Sequence, residues 1–328
     1  MVRSPIALVI GAALGACTLP EPPPVVEGEG GRWEALPELA GGPRQETCVV
    51  ALGGEVVVVG GVDEVGATVA HVEAYAPATA SWRRLADLPV PLHHANCAVV
   101  DGSLVLGGFL LGAGFAPDGR TFVYSPDDDA WREGAPMPDG SQRGAAGAVA
   151  HQGYLYVLGG RQSGSVALVS RYHVEEDAWQ ELAPLPQALD HLAALAVGER
   201  LFVVGGRTDG VGRHTARLLE LDWSTGAATE RAPMPTSRAG FAAGVLDGEL
   251  VVAGGEGDAT VETGVFAEVE IYQPETESWR AVLPMRTPRH GMGAAVVDGT
   301  LYVPGGADRQ GFAAVATHER FVPSPPPD

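Results

Sequence analysis

The chain has 328 residues, 45% of them hydrophobic, with 45 Gly and 26 Pro. So many turn formers disfavour long helices and suit many short strands, while the length fits either two domains or one large all-β unit. A formal charge of −20 opposes nucleic acid and anionic headgroups, which would repel the surface instead of releasing counterions to it, so no nucleic-acid partner is expected.

At the N-terminus, Arg3 precedes an apolar run from Pro5 to Ala16, too short to span a bilayer but suited to the core of a signal peptide. Leu14-Gly15-Ala16-Cys17 then places small residues before a cysteine and resembles the lipobox of bacterial lipoproteins. The resemblance implies removal of residues 1–16 and acylation of Cys17. With Thr18 rather than Asp next, it also implies sorting to the outer membrane of a Gram-negative cell envelope. Several acyl chains, each contributing about 0.8 kcal/mol per buried CH₂, would hold firmly, and membrane contact is expected through this anchor only. Residues 17–31 lack periodicity and are rich in Pro, Glu and Gly, which reads as a flexible tether. One domain is expected over 32–323, and 324–328 reads as a disordered tail.

Within the domain an apolar run ending in two glycines recurs, at Gly60-Gly61, Gly107-Gly108, Gly159-Gly160, Gly205-Gly206, Gly254-Gly255 and Gly305-Gly306, spaced 46–52 residues apart. Turn signals at Asp101-Gly102, Gln152-Gly153, Asp247-Gly248 and Asp298-Gly299 precede most pairs, so each repeat opens with a β-hairpin. After the glycines comes an aromatic and, seven residues on, a tryptophan: Tyr75 and Trp82, Tyr124 and Trp131, Tyr172 and Trp179, Tyr272 and Trp279, with Leu221 and Ala228 as a degenerate pair. Leu-Pro or Met-Pro follows at Leu88, Met137, Leu185 and Met234. These columns resemble the kelch repeat over nearly the whole domain. The resemblance implies an all-β, six-bladed kelch-type β-propeller.

Blades stacked around an axis bury both faces of each sheet, and large aromatics fill the widening gaps. The last repeat ends at Phe321, and its tryptophan position falls at Asp328, whereas Arg32-Trp33 with Leu39 beyond repeats the missing pattern. The strand around Trp33 is therefore expected to complete the sixth blade and close the ring, leaving no open edge at the seam.

The loops leading into the first strands carry Arg44, Arg143, Arg238 and Arg289, each ten residues before a turn glycine, with Leu92 and Leu189 in the other two repeats. Nearby lie His93, His94, Asp190, His191 and His290. This face is where kelch propellers commonly bind, and these nine residues are the candidates for a ligand face. The repeated arginines also fit a structural role, bonded to carbonyls or to Glu73, Glu270 and Glu319. His94 and His191 break the repeat, which favours a role particular to this chain. The loops leaving the second strands add Asp63, Glu64, Arg161, Gln162, Arg207, Asp209, Glu256, Asp258, Asp308 and Arg309. No close His-x-His or CxxC motif occurs, so no metal or cofactor is expected. Asp127-Asp128-Asp129 reads as a solvated turn. Cys48 and Cys97 fall in first strands of adjacent blades with registers one residue apart, which favours two buried thiols over a bridge.

A propeller presents loops without imposing chemistry. The expectation is a monomeric, non-catalytic module binding a protein or a glycan. The alternative is a sugar-acting enzyme of the sialic-acid mutarotase type, since kelch enzymes of that kind need only an arginine and an acid or histidine at one pocket.

Overall fold

The computed structural model describes residues 25–28, 30–210 and 212–324. Cys17, the leader and the tail beyond Ser324 lie outside the described residues. Five four-stranded antiparallel sheets follow in chain order. The first blade comprises Cys48–Leu52, Glu55–Val59, Val72–Ala76 and Ser81–Arg84. In the sixth, Ala295–Val297, Thr300–Pro304 and His318–Pro323 are completed by Gly31–Leu36 from the other end of the domain. The chain is thus a six-bladed β-propeller with an N-terminal closing strand, as its repeats imply.

The valine run Val56 to Val59 shows why continuous apolar stretches recur. Side chains alternate across a strand, so Val57 and Val59 join the core shared with blade 2, while Val56 and Val58 join the core shared with blade 6. Among the described residues six such clusters form, one for each blade-to-blade interface. Tryptophans pin these interfaces: Trp82, Trp131, Trp179 and Trp279 each donate through Nε1 to a carbonyl of the preceding blade, at Pro37, Ala86, Ala135 and Ala232. Where the fourth blade lacks its tryptophan, Trp223 stacks on His151 of blade 3 at 4.0 Å between centroids.

The seam follows the same rule. Trp33 pairs with Phe321 across the strands, their rings 5.4 Å apart, and its Nε1 donates to Leu283 O at 3.2 Å. Val25–Gly28 then folds back on Gly31–Leu36 as a fifth strand. The sheet therefore reaches into the segment read as tether. Gly30, with φ of 83°, supplies the left-handed conformation that a tight hairpin uses between the two strands.

Blade 2 departs from its neighbours. Its second strand runs through the glycine pair as Ser103–Leu111, with a register shift between Gly107 and Phe109, and pairs with Ala116–Ser125. The lengthened hairpin ends in a turn at Gly112 to Phe115, with Phe115 at φ 53°.

Cys48 and Cys97 form a disulfide, with Cα atoms 6.3 Å apart, contrary to the expected thiols. Counted from the turn glycine, the two positions differ by one residue. Counted from the glycine pair they coincide: Cys48 pairs with Val59 and Cys97 with Leu106, the residues just before Gly60 and Gly107. The hairpin of blade 2 is one residue shorter per strand, so the glycine pair is the correct origin. Closing a loop of 49 residues restricts the unfolded chain by about 4 kcal/mol in the chain-entropy account.

Two predictions concern the seam. Trp33→Ala, which empties a fully buried indole site, should cost about 3–5 kcal/mol in urea denaturation, and deleting 31–37 should abolish the cooperative melt. The second uses His318, whose ring sits 4.7 Å from Tyr75 and whose Nδ1 faces Pro37 O at 3.2 Å. Burial outweighs that hydrogen bond and depresses the imidazole to about 3, with Arg289 and Arg320 adding to the shift. The fold holds the neutral ring, so stability is complete above about pH 6.5 and falls as pH drops towards 3. His318→Phe should flatten that slope, because Trp82 still donates to Pro37 O; an unchanged slope would assign the acid sensitivity to other groups.

Candidate functional site

The repeated arginines are placed by the strands they precede, and all four are buried at 0–1% exposure. Each reaches the carbonyl of the first glycine of its own pair: Arg44 to Gly60, Arg143 to Gly159, Arg238 to Gly254 and Arg289 to Gly305. Three also bind a buried carboxylate in the third strand, Arg44 to Glu73, Arg238 to Glu270 at 2.7 Å and Arg289 to Glu319 at 3.0 Å. Blade 3 has Ser170 there, 3.0 Å from Arg143 Nη2, and Glu181 lies beyond it. Burial lowers the Arg143 guanidinium to about 10, with Glu181 opposing. Arg44, Arg143, Arg238 and Arg289 therefore each brace their own blade from within and lie outside the lining of the axial mouth. As charges that form hydrogen bonds to carbonyls, they settle backbone groups that bulge at the glycine pair.

Two residues beyond each arginine or its leucine substitute, the six blades meet at the axis. Glu46 N donates to Gly291 O, His94 N to Glu46 O, Ala145 N to His94 O, His191 N to Ala145 O, Gly240 N to His191 O and Gly291 N to Gly240 O, all at 2.7–3.0 Å. This head-to-tail circle of backbone bonds forms a belt around the axis. Every member has positive φ, from 53° to 61°, a conformation that glycine adopts freely and bulky residues adopt at a cost.

Three belt positions carry functional side chains, which meet in a knot. His94 Nε2 lies 3.1 Å from Glu46 Oε2 and 3.1 Å from His191 Nε2. His93 backs His94 with Nδ1 2.5 Å from Nδ1, and its own Nε2 faces Gly112 O at 3.1 Å. His191 Nδ1 contacts Asp190 Oδ1 at 2.5 Å, and Asp190 is held further by Ser165 Oγ and by Arg207 Nε at 3.0 Å. Arg207 also bonds Glu256, and its Nη2 lies 3.2 Å from His191 Nε2. His290 closes the group, with Nε2 facing Arg309 O at 2.9 Å and Nδ1 3.9 Å from Glu256 and 4.0 Å from Glu46.

Electrostatically the knot is negative. Glu46, Asp190 and Glu256 face one central guanidinium, Arg207, with Arg161 3.9 Å from Asp190 at the margin. Burial works against the Glu46 carboxylate, but His94, His191, His290 and Arg207 outweigh it and hold the group at about 2. Burial pushes His94 well below the ordinary histidine range, with Glu46 opposing. Asp190 is lowered despite burial by His191, Ser165 and Arg207.

Below the belt a channel of about 470 Å³ runs between the first strands, lined by residues such as Val50, Ala98, Ala148 and Val245 and by no charged group. Above it, a cavity of about 120 Å³ is bounded by the knot and by Gln45, Gly311, Phe115 and Phe312. Phe115, at the tip of the long hairpin of blade 2, lies 5.4 Å from the His94 ring and 6.1 Å from Phe312. Among the described residues the exposed large apolar side chains are Val65, Val261 and Phe312, all in loops that leave second strands of blades 1, 5 and 6.

The five candidates His93, His94, Asp190, His191 and His290 thus come together at this mouth, and the four arginines do not. Glu46 escaped sequence reading altogether. Its signal is its place two residues after an arginine, the same place that His94 and His191 occupy after a leucine. Arg207 and Glu256, noted only as loop residues, prove central because their loops pair with Asp190 and Ala239 beside the axis. The acidic turn before Trp131 is structural: Asp129 accepts from Tyr124 Oη at 2.7 Å and from Ala86 N at 2.8 Å.

The model of the Kelch motif matches residues 43–89, 142–186 and 237–286, and Kelch-like protein terF of Aspergillus terreus is 32% identical over 91% of this chain and 69% of its own length. The chain belongs to the kelch family. Kelch-like protein 35 of Mus musculus is 28% identical over 78% of this chain, which spans 42% of that protein. Human Kelch repeat and BTB domain-containing protein 12 is 35% identical over 47% of this chain, which spans 29% of that protein. The solved structure of YjhT superposes with a TM-score of 0.72 over 86% of this chain and 95% of its own, at 18% identity, a likeness of fold. Within this kelch propeller the repeated arginines are part of the repeat, and the axial knot is built from the positions that vary between blades.

The structural assignment of the arginines is testable. Glu270→Ala leaves the Arg238 charge buried without its carboxylate and should cost about 3–5 kcal/mol of stability, read by urea denaturation. An effect below about 1 kcal/mol would return Arg238 to the list of ligand-face residues.

Proposed function

We propose that this kelch propeller is a non-catalytic binding module of the cell envelope, anchored through acylated Cys17, that takes a protein partner on the face around the axial mouth. The observation that carries this reading is that Val65, Val261 and Phe312 are all exposed and all lie in the departing loops of three adjacent blades. Apolar side chains gathered on one rim mark a docking surface, whereas scattered ones need no explanation. The same loops carry Asp63, Glu64, Asp258, Glu262 and Asp308, so the partner surface is expected to be basic around an apolar centre.

A sugar-acting enzyme of the mutarotase type needs an arginine open to an acid group. Arg44, Arg143, Arg238 and Arg289 are buried, and Arg207 is already matched by Asp190 and Glu256. The charge balance at the mouth therefore supports the binding module over an enzyme for an anionic sugar.

The test compares the full chain with a Val65→Glu, Val261→Glu, Phe312→Glu variant, all three exposed positions, in cross-linking to envelope proteins and on a glycan array. Capture of a defined envelope protein that the variant loses at least tenfold, with an unchanged melt, is the expected result. Glycan binding without protein capture, or capture that the variant retains, would overturn the reading. Cys17→Ser should move the chain from the membrane to the soluble fraction; persistence in the membrane would remove the anchor.

A further inference from the structure

The axial knot holds more hydrogen-bond acceptors than donors. A carbonyl cannot donate, so His93 Nε2, facing Gly112 O, carries the proton of its neutral ring, and His93 Nδ1 carries a lone pair. The 2.5 Å contact between the two Nδ1 atoms then needs its proton on His94, which leaves His94 Nε2 bare. On the other side, His191 Nδ1 donates to Asp190, so in the neutral ring His191 Nε2 is the acceptor. These two lone pairs face each other at 3.1 Å, and the Glu46 carboxylate stands 3.1 Å from His94 Nε2. Arg207 Nη2 donates to His191 Nε2 at 3.2 Å while its Nε and Nη1 hold Asp190 and Glu256, so an ion at this point takes the place of that single Nη2 contact.

His290 shows the same deficit independently. Its Nε2 faces Arg309 O, which accepts a ring N–H, so in the neutral ring Nδ1 presents a lone pair towards the carboxylates of Glu46 and Glu256. That atom is buried without a hydrogen-bond partner, in a residue only 2% exposed. An orphaned acceptor aimed between two carboxylates is compensated by a cation.

We propose that Glu46, His94 and His191 bind one divalent first-row transition metal ion, with zinc as the reference case, at the narrow point between the channel and the mouth. The donor atoms, two imidazole Nε2 and a carboxylate oxygen, lie within 4.8 Å of one another. Ligands about 2.0–2.2 Å from an ion stand roughly 3–3.5 Å apart, so the two 3.1 Å separations already suit a shared ion. The donor set contains nitrogen and oxygen and no thiolate, which favours a transition ion over calcium or magnesium and over thiophilic metals. The contacts Asp190 to His191 and His93 to His94 fix the ring orientation and free Nε2 on each, which is how outer partners prepare histidine ligands. The remaining coordination positions open towards the cavity under Phe115 and Phe312. Because the donors come from blades 1, 2 and 4, the ion would also tie three blades together. The inference stands independently of the protein-partner reading, since it concerns the knot and not the rim.

Two belt positions, Gly240 and Gly291, already hold glycine at the same positive φ, so His94→Gly and His191→Gly remove ligands where the backbone accepts glycine. Glu46→Gln keeps the shape and removes the charge. The chelator-stripped full chain, titrated with Zn²⁺ by calorimetry and with Co²⁺ by visible absorption, should bind one equivalent, and Zn²⁺ should raise its melting temperature. Each variant should lose affinity at least tenfold and lose the melting shift, while His173→Ala, at a distant surface, should behave as the parent. Absence of stoichiometric binding to the folded parent would overturn the proposal. So would unchanged binding by a folded double variant, His94→Gly with His191→Gly.

Discussion

Everything at the centre of this molecule depends on six peptide groups donating head to tail around the axis. Such a circle closes only if each blade presents an N–H to one neighbour and a C=O to the other at the same level, and the left-handed backbone conformation does that. The requirement reaches outward at once. Gly61 N donates to Leu92 O of the next blade, and a Cβ on Gly60 would stand 2.6 Å from that same oxygen. The glycine pairs seen in the sequence are thus the points where one blade's backbone touches the next, and the arginines fill the resulting gaps with donors. Blade 2 breaks the arrangement, since its strand runs through the pair. There Asn96 Nδ2 donates to Arg143 O, replacing the glycine amide.

The belt also explains how a repeated fold acquires a particular site. Glycine or alanine suffices for the circle, as Gly240, Gly291 and Ala145 show. Glu46, His94 and His191 place large side chains in a conformation that the circle requires and that glycine would adopt more cheaply. Strain held at an axis, where three blades deliver ionisable groups into one small volume, reads as a site selected over local comfort.

The fold was legible in the sequence because its signals repeat. The glycine pairs, the aromatic and tryptophan columns, and Trp33 standing in for a missing sixth tryptophan each depend on local chemistry that recurs in every blade. The site was half legible. His94 and His191 stood out as breaks in the pattern, but Glu46 went unread beside Arg44. Its meaning depends on a register that only the glycine pair supplies. The same choice of origin misled the reading of Cys48 and Cys97, since counting from the turn carried the one-residue shortening of blade 2 into the comparison. The arginines posed the opposite problem, for their recurrence marked them as part of the repeat, and burial rather than sequence decides that role.

The disulfide has a bearing on the axis that its place in the first strands does not at once suggest. Cys48 follows Glu46 by two residues, and Cys97 follows His94 by three, so the bridge is a short covalent brace directly behind two of the three side chains of the knot. It fixes the gap between blades 1 and 2, while the seam between the chain's two ends is held by non-covalent contacts, the Arg320–Glu34 ion pair among them. A reducing environment therefore acts first on the alignment of Glu46 with His94, not on ring closure. The register of the centre is thus tied to the oxidation state of two sulfur atoms.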